Sequence, residues 1–316
     1  MKTIELETPQ QTPVRLQTTG AEAVIQSLKA EGVKTIFGYP GGAIMPIYDA
    51  LFDHLEEVNH VLTRHEQGAI HAAQGYARTS GKTGVVFATS GPGATNLITG
   101  LADALIDSTP LVCITGQVAS HLLGTDAFQE TDVMGISMPV TKWNCQVTKA
   151  ADIAPALAKA FYIASSGRPG PVLVDITKDA QFEKLDFSYE KCTAVRSFQP
   201  KPKLNADQLQ AASKLLNEAK KPLMIVGQGI MLSNAEDELL VFAEKTGVPV
   251  ASTLLGLGAF PANHPQFVGM VGMHGNYAPN VKSNECDVLL AVGMRFDDRV
   301  TGDVSRYAKQ AKVVHI

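Results

Sequence analysis

Glu66 sits in Arg64-His65-Glu66-Gln67-Gly68-Ala69-Ile70-His71-Ala72-Ala73, where a β-branched run gives way to an Ala-rich helical pattern. A carboxylate in a first helical turn serves the positive end of the helix dipole. The same group at the ligand edge of an α/β sheet can act as a general acid or base on a bound molecule. Residue type alone leaves both roles open. A zinc role is rejected, because a helical pair needs histidines at i and i+4, and His65 and His71 are six apart. In Thr89-Ser90-Gly91-Pro92-Gly93-Ala94-Thr95-Asn96 a Gly-Pro-Gly turn precedes a helix. It is either a tight connection or a place where a flat ring can approach the backbone, and it lacks the spacing of a phosphate loop. Gly124-Thr125-Asp126-Ala127-Phe128-Gln129-Glu130-Thr131 lies in a long loop, in which Phe128 either faces a ligand or anchors the loop. Arg168, between Gly167 and Pro169, can hold a phosphate or a surface carboxylate. Gly227-Gln228-Gly229 is an incomplete dinucleotide fingerprint. With the turns at Thr253–Gly258, Gly272–Gly275 and Gly293–Arg299 it gives one sheet edge several glycine-bearing turns, which suits a long, extended ligand.

The elements that must position these groups follow from periodicity. Helical spacing over Ala21–Ala30, with Thr19 as cap, over Met45–His54, Glu66–Arg78, Ala94–Ile106 and Ile153–Ala164 alternates with β-branched runs. Those runs are Lys34–Phe37, Val58–Leu62, Thr83–Ala88, Pro110–Thr115, Lys142–Val147 and Val172–Ile176. Such alternation means βαβ units and a parallel sheet covered on both faces. From 181 to 204 the pattern breaks into a charged, Pro-Lys-Pro-bearing stretch that reads as a linker. A second α/β unit follows, with helices Ala206–Ala219 and Ala235–Thr246 and strands Pro222–Val226, Val248–Ala251, Asp287–Val292 and Lys312–Ile316. A buried strand is a poor place for a chain to stop, so a truncated second domain is expected.

Bulk properties narrow the function classes. The 316 residues exceed one ordinary domain, and 45% hydrophobic with 18% charged residues is a globular balance. A formal net charge of −4 without a basic block argues against a nucleic-acid surface. Cys113, Cys145, Cys192 and Cys286 are widely spaced, which fits a reducing compartment rather than a disulfide framework or zinc site. The N-terminus has no apolar core of a signal or transit peptide, and no run reaches membrane-spanning length. A cytoplasmic protein of bacterial type is expected.

In order and number, the stretches FGYPGGAIMPIYDAL, RHEQGAIHAAQGYAR, TSGPGATN, GQV, GTDAFQET, SGRPGPVLVDITKD, GMHG and MRFDDRV resemble the acetohydroxyacid (acetolactate) synthase large-subunit family, from about residue 15 onward. The resemblance implies an N-terminal extension (1–17), a thiamine pyrimidine-binding domain (18–180), a linker (181–204) and an incomplete Rossmann-like FAD-binding domain (205–316). The domain that binds Mg²⁺ and the diphosphate would be absent. The implied activity is a thiamine-diphosphate-dependent transferase that decarboxylates pyruvate and joins it to pyruvate or 2-ketobutyrate in branched-chain amino acid biosynthesis. A pyruvate oxidase relative and an inactive cofactor-binding fragment are the alternatives.

By match, Glu66 would hydrogen-bond the aminopyrimidine ring and activate the thiamine, with Pro92, Gln117 and Gln129 beside the cofactor. Arg168, Gly227, Gly229, Thr253, Leu254, Met273, His274, Gly293 and Arg295 would contact FAD. Gly42, Ala43, Phe128, Lys142, Lys178 and Arg299 would line the substrate channel, where the family's herbicides also bind. Ala119, Ser120 and His121 depart from the Pro-Arg-Arg common in plant members. The resemblance further implies a homodimer or larger assembly with the active site between subunits, a regulatory small subunit, and no metal ligand within this chain. This chain alone would be inactive.

Overall fold

The computed structural model describes residues 16–316 and divides into two compact units, up to Pro202 and from Lys203. The first unit runs β1 (Leu16–Thr19), α1 (Gly20–Ala30), β2 (Thr35–Gly38), α2 (Met45–Phe52), β3 (Asn59–Leu62), α3 (Glu66–Ser80), β4 (Gly84–Ala88), α4 (Pro92–Thr95), α5 (Ile98–Ile106), β5 (Leu111–Gln117), α6 (Val133–Ser137), β6 (Trp143–Val147), α7 (Ile153–Ser165), β7 (Pro171–Thr177), α8 (Lys178–Phe182) and β8 (Lys184–Phe187). Strands β3-β2-β4-β5-β7-β6 form one sheet in that order, every pair parallel. Strands β4, β5 and β7 are buried along their whole length, as expected for near-continuous apolar runs covered on both faces. Alternate residues feed two cores. Val85 and Phe87 pack with α1, α2 and α7, while Val86 and Ala88 pack with α3 and α5.

Local chemistry sets the helix ends. Thr19 accepts from the Glu22 N–H and caps α1, as the sequence predicts. α3 ends on Gly81 in the left-handed region. The single helix expected over Ala94–Ile106 is two pieces, with a turn at Asn96 and Leu97 between α4 and α5. The expected linker also begins later than residue 181. Gln181 lies buried in α8, and Lys184–Phe187 pairs antiparallel with β1, which takes in Leu16 and Gln17 of the expected N-terminal extension. These four-residue strands, LQTT and KLDF, are too short to show a period. The rest of that extension lies outside the described residues.

The second unit runs α9 (Ala206–Glu218), β9 (Pro222–Val226), α10 (Gly229–Leu232), α11 (Glu236–Thr246), β10 (Val250–Ser252), β11 (Phe267–Met270), α12 (Tyr277–Glu285), β12 (Val288–Val292), α13 (Asp298–Thr301) and β13 (Lys312–His315). Its sheet, β11-β10-β9-β12-β13, is parallel throughout. β11 and α12 escape sequence patterning: β11 is four half-buried residues around Gly269, and α12 has little amphipathic contrast. The four cysteines are free thiols, and no helix among the described residues is long and apolar enough to cross a membrane.

The register of α3 against α5 rests on a helix crossing with no room to spare. Gly100 on α5 faces Ile70 on α3, and a Cβ there would overlap the Ile70 Cγ2 methyl. The buried Gln74 of α3 donates to the Gly100 carbonyl at 3.1 Å. Gly100→Ala is therefore expected to destabilise by about 1–3 kcal/mol through overpacking, against the ~1 kcal/mol gain of an ordinary helical Gly→Ala exchange. Denaturant melts of Gly100→Ala, Ile70→Ala and the double variant check this. The double variant should lose less than the sum of the singles.

Candidate active site

In the first sheet the chain runs from β2 outward to β3 and then crosses to β4 on the other side of β2. Strand order reverses between β2 and β4, and such a switch point opens a ligand crevice at the carboxyl ends of the strands. Three connections meet there: the β2–α2 loop carrying Gly41–Ile44, the β3–α3 turn carrying Glu66, and the β4–α4 turn carrying Thr89–Gly93. Thr89 Oγ1 accepts from the Ala43 N–H at 3.2 Å, and Gln181 Nε2 donates to the Ala43 carbonyl at 2.9 Å. Both backbone groups of Ala43 are thereby fixed, while Gly42 stays exposed beside it.

Glu66 is the first residue of α3 and only 7% exposed. His65 caps the helix by accepting from the Gln67 N–H at 3.1 Å, so the Glu66 carboxylate is not spent on capping. Asn96 Nδ2 donates to Glu66 Oε2 at 2.9 Å and is its one side-chain donor among the described residues. The other oxygen, Oε1, looks onto Gly93, where an added Cβ would lie 3.2 Å away. Gly93 therefore keeps a space open beside a buried acid. Tyr48 lies nearby, in edge contact with Phe87 and His60. Burial first, and the charge of Glu66 second, push its phenol up.

The Gly124–Thr131 loop crosses the same edge. Gly91, at φ +56°, lies under the Gln129 backbone, where any Cβ would come within 2.6 Å of the Gln129 carbonyl oxygen. Gln129 itself is left-handed at φ +58° and its side chain is exposed. Phe128 is 88% exposed, so it does not anchor the loop. Gln117, at the end of β5, is fully buried and turned inward. Its Nε2 donates to the Thr131 carbonyl at 3.2 Å and to Asp175 Oδ2 at 3.1 Å. Pro92 is exposed at the start of α4, and Lys178, half-buried, opens α8 at this edge.

Lys142 and Arg168 do not join this set. Lys142 precedes β6 and its N–H donates to the Pro171 carbonyl at the start of β7. Its ammonium donates to the Ser166 carbonyl at 2.9 Å and to the Ile163 carbonyl, closing the C-terminal end of α7. Burial lowers its pKa to about 8. Arg168 Nε donates to Ser108 Oγ at 2.7 Å, and its guanidinium also reaches the Ile106 carbonyl at 2.8 Å. Both sit at the amino end of β7. Seven residues at roughly 3.3 Å each separate them from the Glu66 edge by about 20 Å. Within one copy of this unit, Lys142 therefore stands at the opposite strand ends from Gly42, Ala43, Phe128 and Lys178.

In the second unit the order reverses between β9 and β12. The turns after these strands meet back to back: a Cβ on Gly229 would come within 2.6 Å of Gly293 Cα, and the Gly229 N–H donates to the Gly293 carbonyl at 2.8 Å. The Gly272–Gly275 turn follows β11 and joins the same edge, with the Met273 N–H donating to the Arg299 carbonyl at 2.7 Å. Thr253 is occupied as a cap for Gly256. Leu254, Met273, His274, Arg295 and Arg299 are exposed there. The Arg299 guanidinium lies 3.6 Å from Met273 Sδ, and Arg295 lies 3.5 Å from Asp297. Arg299 also lies 3.7 Å from Asp298, so each arginine has an acidic neighbour, and it is the apolar surface and closely packed turns at a switch point that suit an extended ligand with a flat end. No cluster of three metal-ligating side chains occurs among the described residues.

Asn96, Thr89, Gln181 and Asp175 are site residues without an individual signal in the sequence. Asn96 closes the TSGPGATN stretch, and only the α4–α5 break shows why an amide belongs there. Residues 18–136 match the thiamine pyrophosphate enzyme N-terminal TPP binding domain, and residues 209–316 match the thiamine pyrophosphate enzyme central domain. The chain is similar to a protein named "Acetolactate synthase large subunit" from Corynebacterium glutamicum, 53% identical over 297 residues, with 94% of this chain and 47% of that protein covered. A "Probable acetolactate synthase large subunit" from Methanocaldococcus jannaschii is 51% identical, covering 94% and 50%. An "Acetolactate synthase large subunit" from Haemophilus influenzae is 50% identical, covering 94% and 52%. The chain spans about half the length of the curated relatives it matches.

The tie between Thr89 and Ala43 is open to direct measurement. Thr89→Val keeps the shape and deletes the acceptor of a buried amide. The expected loss is about 1–3 kcal/mol of stability, with faster hydrogen exchange at Ala43. Unaltered exchange would mean that the loop is held by packing alone.

Proposed function

The chain belongs to the thiamine pyrophosphate enzyme family, and on that premise we propose that it supplies the N-terminal and central domains of an acetolactate synthase large subunit. The proposed reaction decarboxylates pyruvate and joins the product to pyruvate or 2-ketobutyrate, in the biosynthesis of valine, leucine and isoleucine. Among the features of the site, the buried Glu66 carboxyl group, half-satisfied by Asn96 and facing the space kept by Gly93, carries the proposal. Thiamine diphosphate, when bound, supplies the electron sink that decarboxylation needs.

The chain's own residues would do the rest. Glu66 Oε1 would hold a proton against a ring nitrogen of the aminopyrimidine. Asn96 holds Oε2, which fixes the plane of the carboxyl group. The Gly91–Gly93 turn lets a flat ring lie close to the backbone, with Pro92 and Gln129 beside it. Gln117 serves from beneath, by holding the loop rather than by touching the ring. Gly42, Ala43, Phe128 and Lys178 stand on the same edge for the ketoacid.

FAD is proposed for the second unit's switch point, on Gly227, Gly229, Thr253, Leu254, Met273, His274, Gly293 and Arg295, with Arg299 toward the substrate. Mg²⁺ and the diphosphate are assigned to the part of the relatives' length that this chain does not span. We also propose a cytoplasmic homodimer with the active site between copies, together with a regulatory small subunit. The opposite placement of Lys142 and Arg168 from Glu66 supports the dimer: one copy cannot turn both ends of the same strands toward one ligand, whereas two copies can.

In the intact enzyme, Glu66→Gln is expected to slow exchange of the thiazolium C2 proton of bound thiamine diphosphate by about 100-fold or more, with cofactor affinity changed only a few-fold. NMR of quenched exchange reactions reads this directly. Exchange at the wild-type rate would remove Glu66 from the chemistry.

A further inference from the structure

Asp175 lies in the middle of β7, fully buried, and no cation pairs with it among the described residues. Neutral donors from the two neighbouring strands fill it instead. Thr115 Oγ1 donates to Oδ1 at 2.6 Å, and Gln117 Nε2 and Gln146 Nε2 donate to Oδ2 at 3.1 and 3.0 Å. The sheet register dictates the set: Thr115 on β5 and Gln146 on β6 both stand opposite Asp175, and Gln117 is two residues further along β5.

An ionised carboxylate only accepts, so against it both glutamine amides turn their NH₂ groups inward; burial pushes the Asp175 pKa up, and the three donors oppose that shift in part. For Gln117 two further contacts require the same orientation, so that Asp175 anchors an amide whose other ties reach the loop. Its Oε1 accepts from the Val118 N–H at 2.9 Å, and its NH₂ also reaches the Thr131 carbonyl. Thr131 ends the loop that lays the Gln129 backbone over Gly91, one turn from Glu66. The loop's other polar ties are largely internal, with Glu130 accepting from the Gly124 and Ala127 amides. Nothing in packing alone explains a carboxylate here, because a buried ionised group is costly and an apolar residue of similar volume often stabilises.

We infer that Asp175 is a positioning residue: acting through Gln117, it fastens the Gly124–Thr131 loop over the Gly91 turn and so sets where Phe128 and Gln129 stand. Its bearing on catalysis rests on the proposed thiamine site, whereas the fastening of the loop does not. Asp175→Leu removes the acceptor while keeping the branched shape, at a larger volume. Asp175→Asn keeps it, since the Asn carbonyl can face the glutamines while its NH₂ faces the Thr115 hydroxyl, which can accept.

In the intact enzyme, Asp175→Leu is expected to raise amide exchange across 124–131 about tenfold or more. The Kd of thiamine diphosphate should rise by at least a similar factor, the fold-change that one lost charge-assisted hydrogen bond gives. Asp175→Asn should stay within about threefold of wild type on both measures. If Asp175→Leu does not fold, Gln117→Met cuts the same relay and decides by the same loop exchange. Loop exchange unchanged in the variant that folds, or Asn as damaging as Leu, would overturn the inference. Wild-type enzyme that fails to bind thiamine diphosphate would instead sink the proposed function, and the exchange result would still decide the role of Asp175.

Discussion

A carboxylate taken out of water costs several kcal/mol unless donors meet it, and the first unit is organised around two such groups. Asp175 is met completely, by three donors from two neighbouring strands. Glu66 is met by one, the Asn96 amide, and keeps an oxygen facing open space. The difference is one of bonding capacity. A fully satisfied acid can only hold its neighbours, while a partly satisfied one has bonding capacity left for a ligand. Asp175 stands inside the sheet, beneath the loop that its neighbour Gln117 reaches, and Glu66 stands at the sheet edge beside it.

Topology makes that arrangement possible. The parallel sheet brings all its βα turns to one edge, and the reversal of order between β2 and β4 leaves a gap there. Close crossing of α3 and α5 at Gly100 then sets the start of α3 against the α4–α5 turn. Glu66 and Asn96, thirty positions apart in sequence, meet because of that crossing. The stretch from Gly91 to Gly100 therefore does two jobs, a turn open to a ring and a helix seam.

Much of this was legible in the sequence, because parallel strands buried on both faces must be apolar along their length. PVLVDIT and LVCITGQ say so plainly, and so does the alternation with helical runs. What stayed hidden depends on partners far away. Asp175 is a single acid inside an apolar run, and its donors come from sites that no local period links to it. β1 and β8 stabilise each other across the whole first unit, so neither has a signal of its own. Lys142 shows the limit of resemblance: a matched position indicates a part in a shared site, but not which strand end it occupies. Its ammonium turns out to close a helix.

The two units share one plan and use it differently. Each has a parallel sheet and a switch point, but only in the second do glycine turns pack back to back, Gly229 against Gly293; in the first, Gly91 lies under the Gln129 backbone and Gly93 beside Thr89 and Glu66. In the second unit the only buried polar side chains among the described residues are Ser252 and Ser283, and the edge presents exposed cations and apolar side chains instead. Such a surface can hold an anion and a flat ring, but it has no sequestered acid to move a proton. Among the described residues, a buried acid at the sheet edge thus distinguishes the first unit from the second.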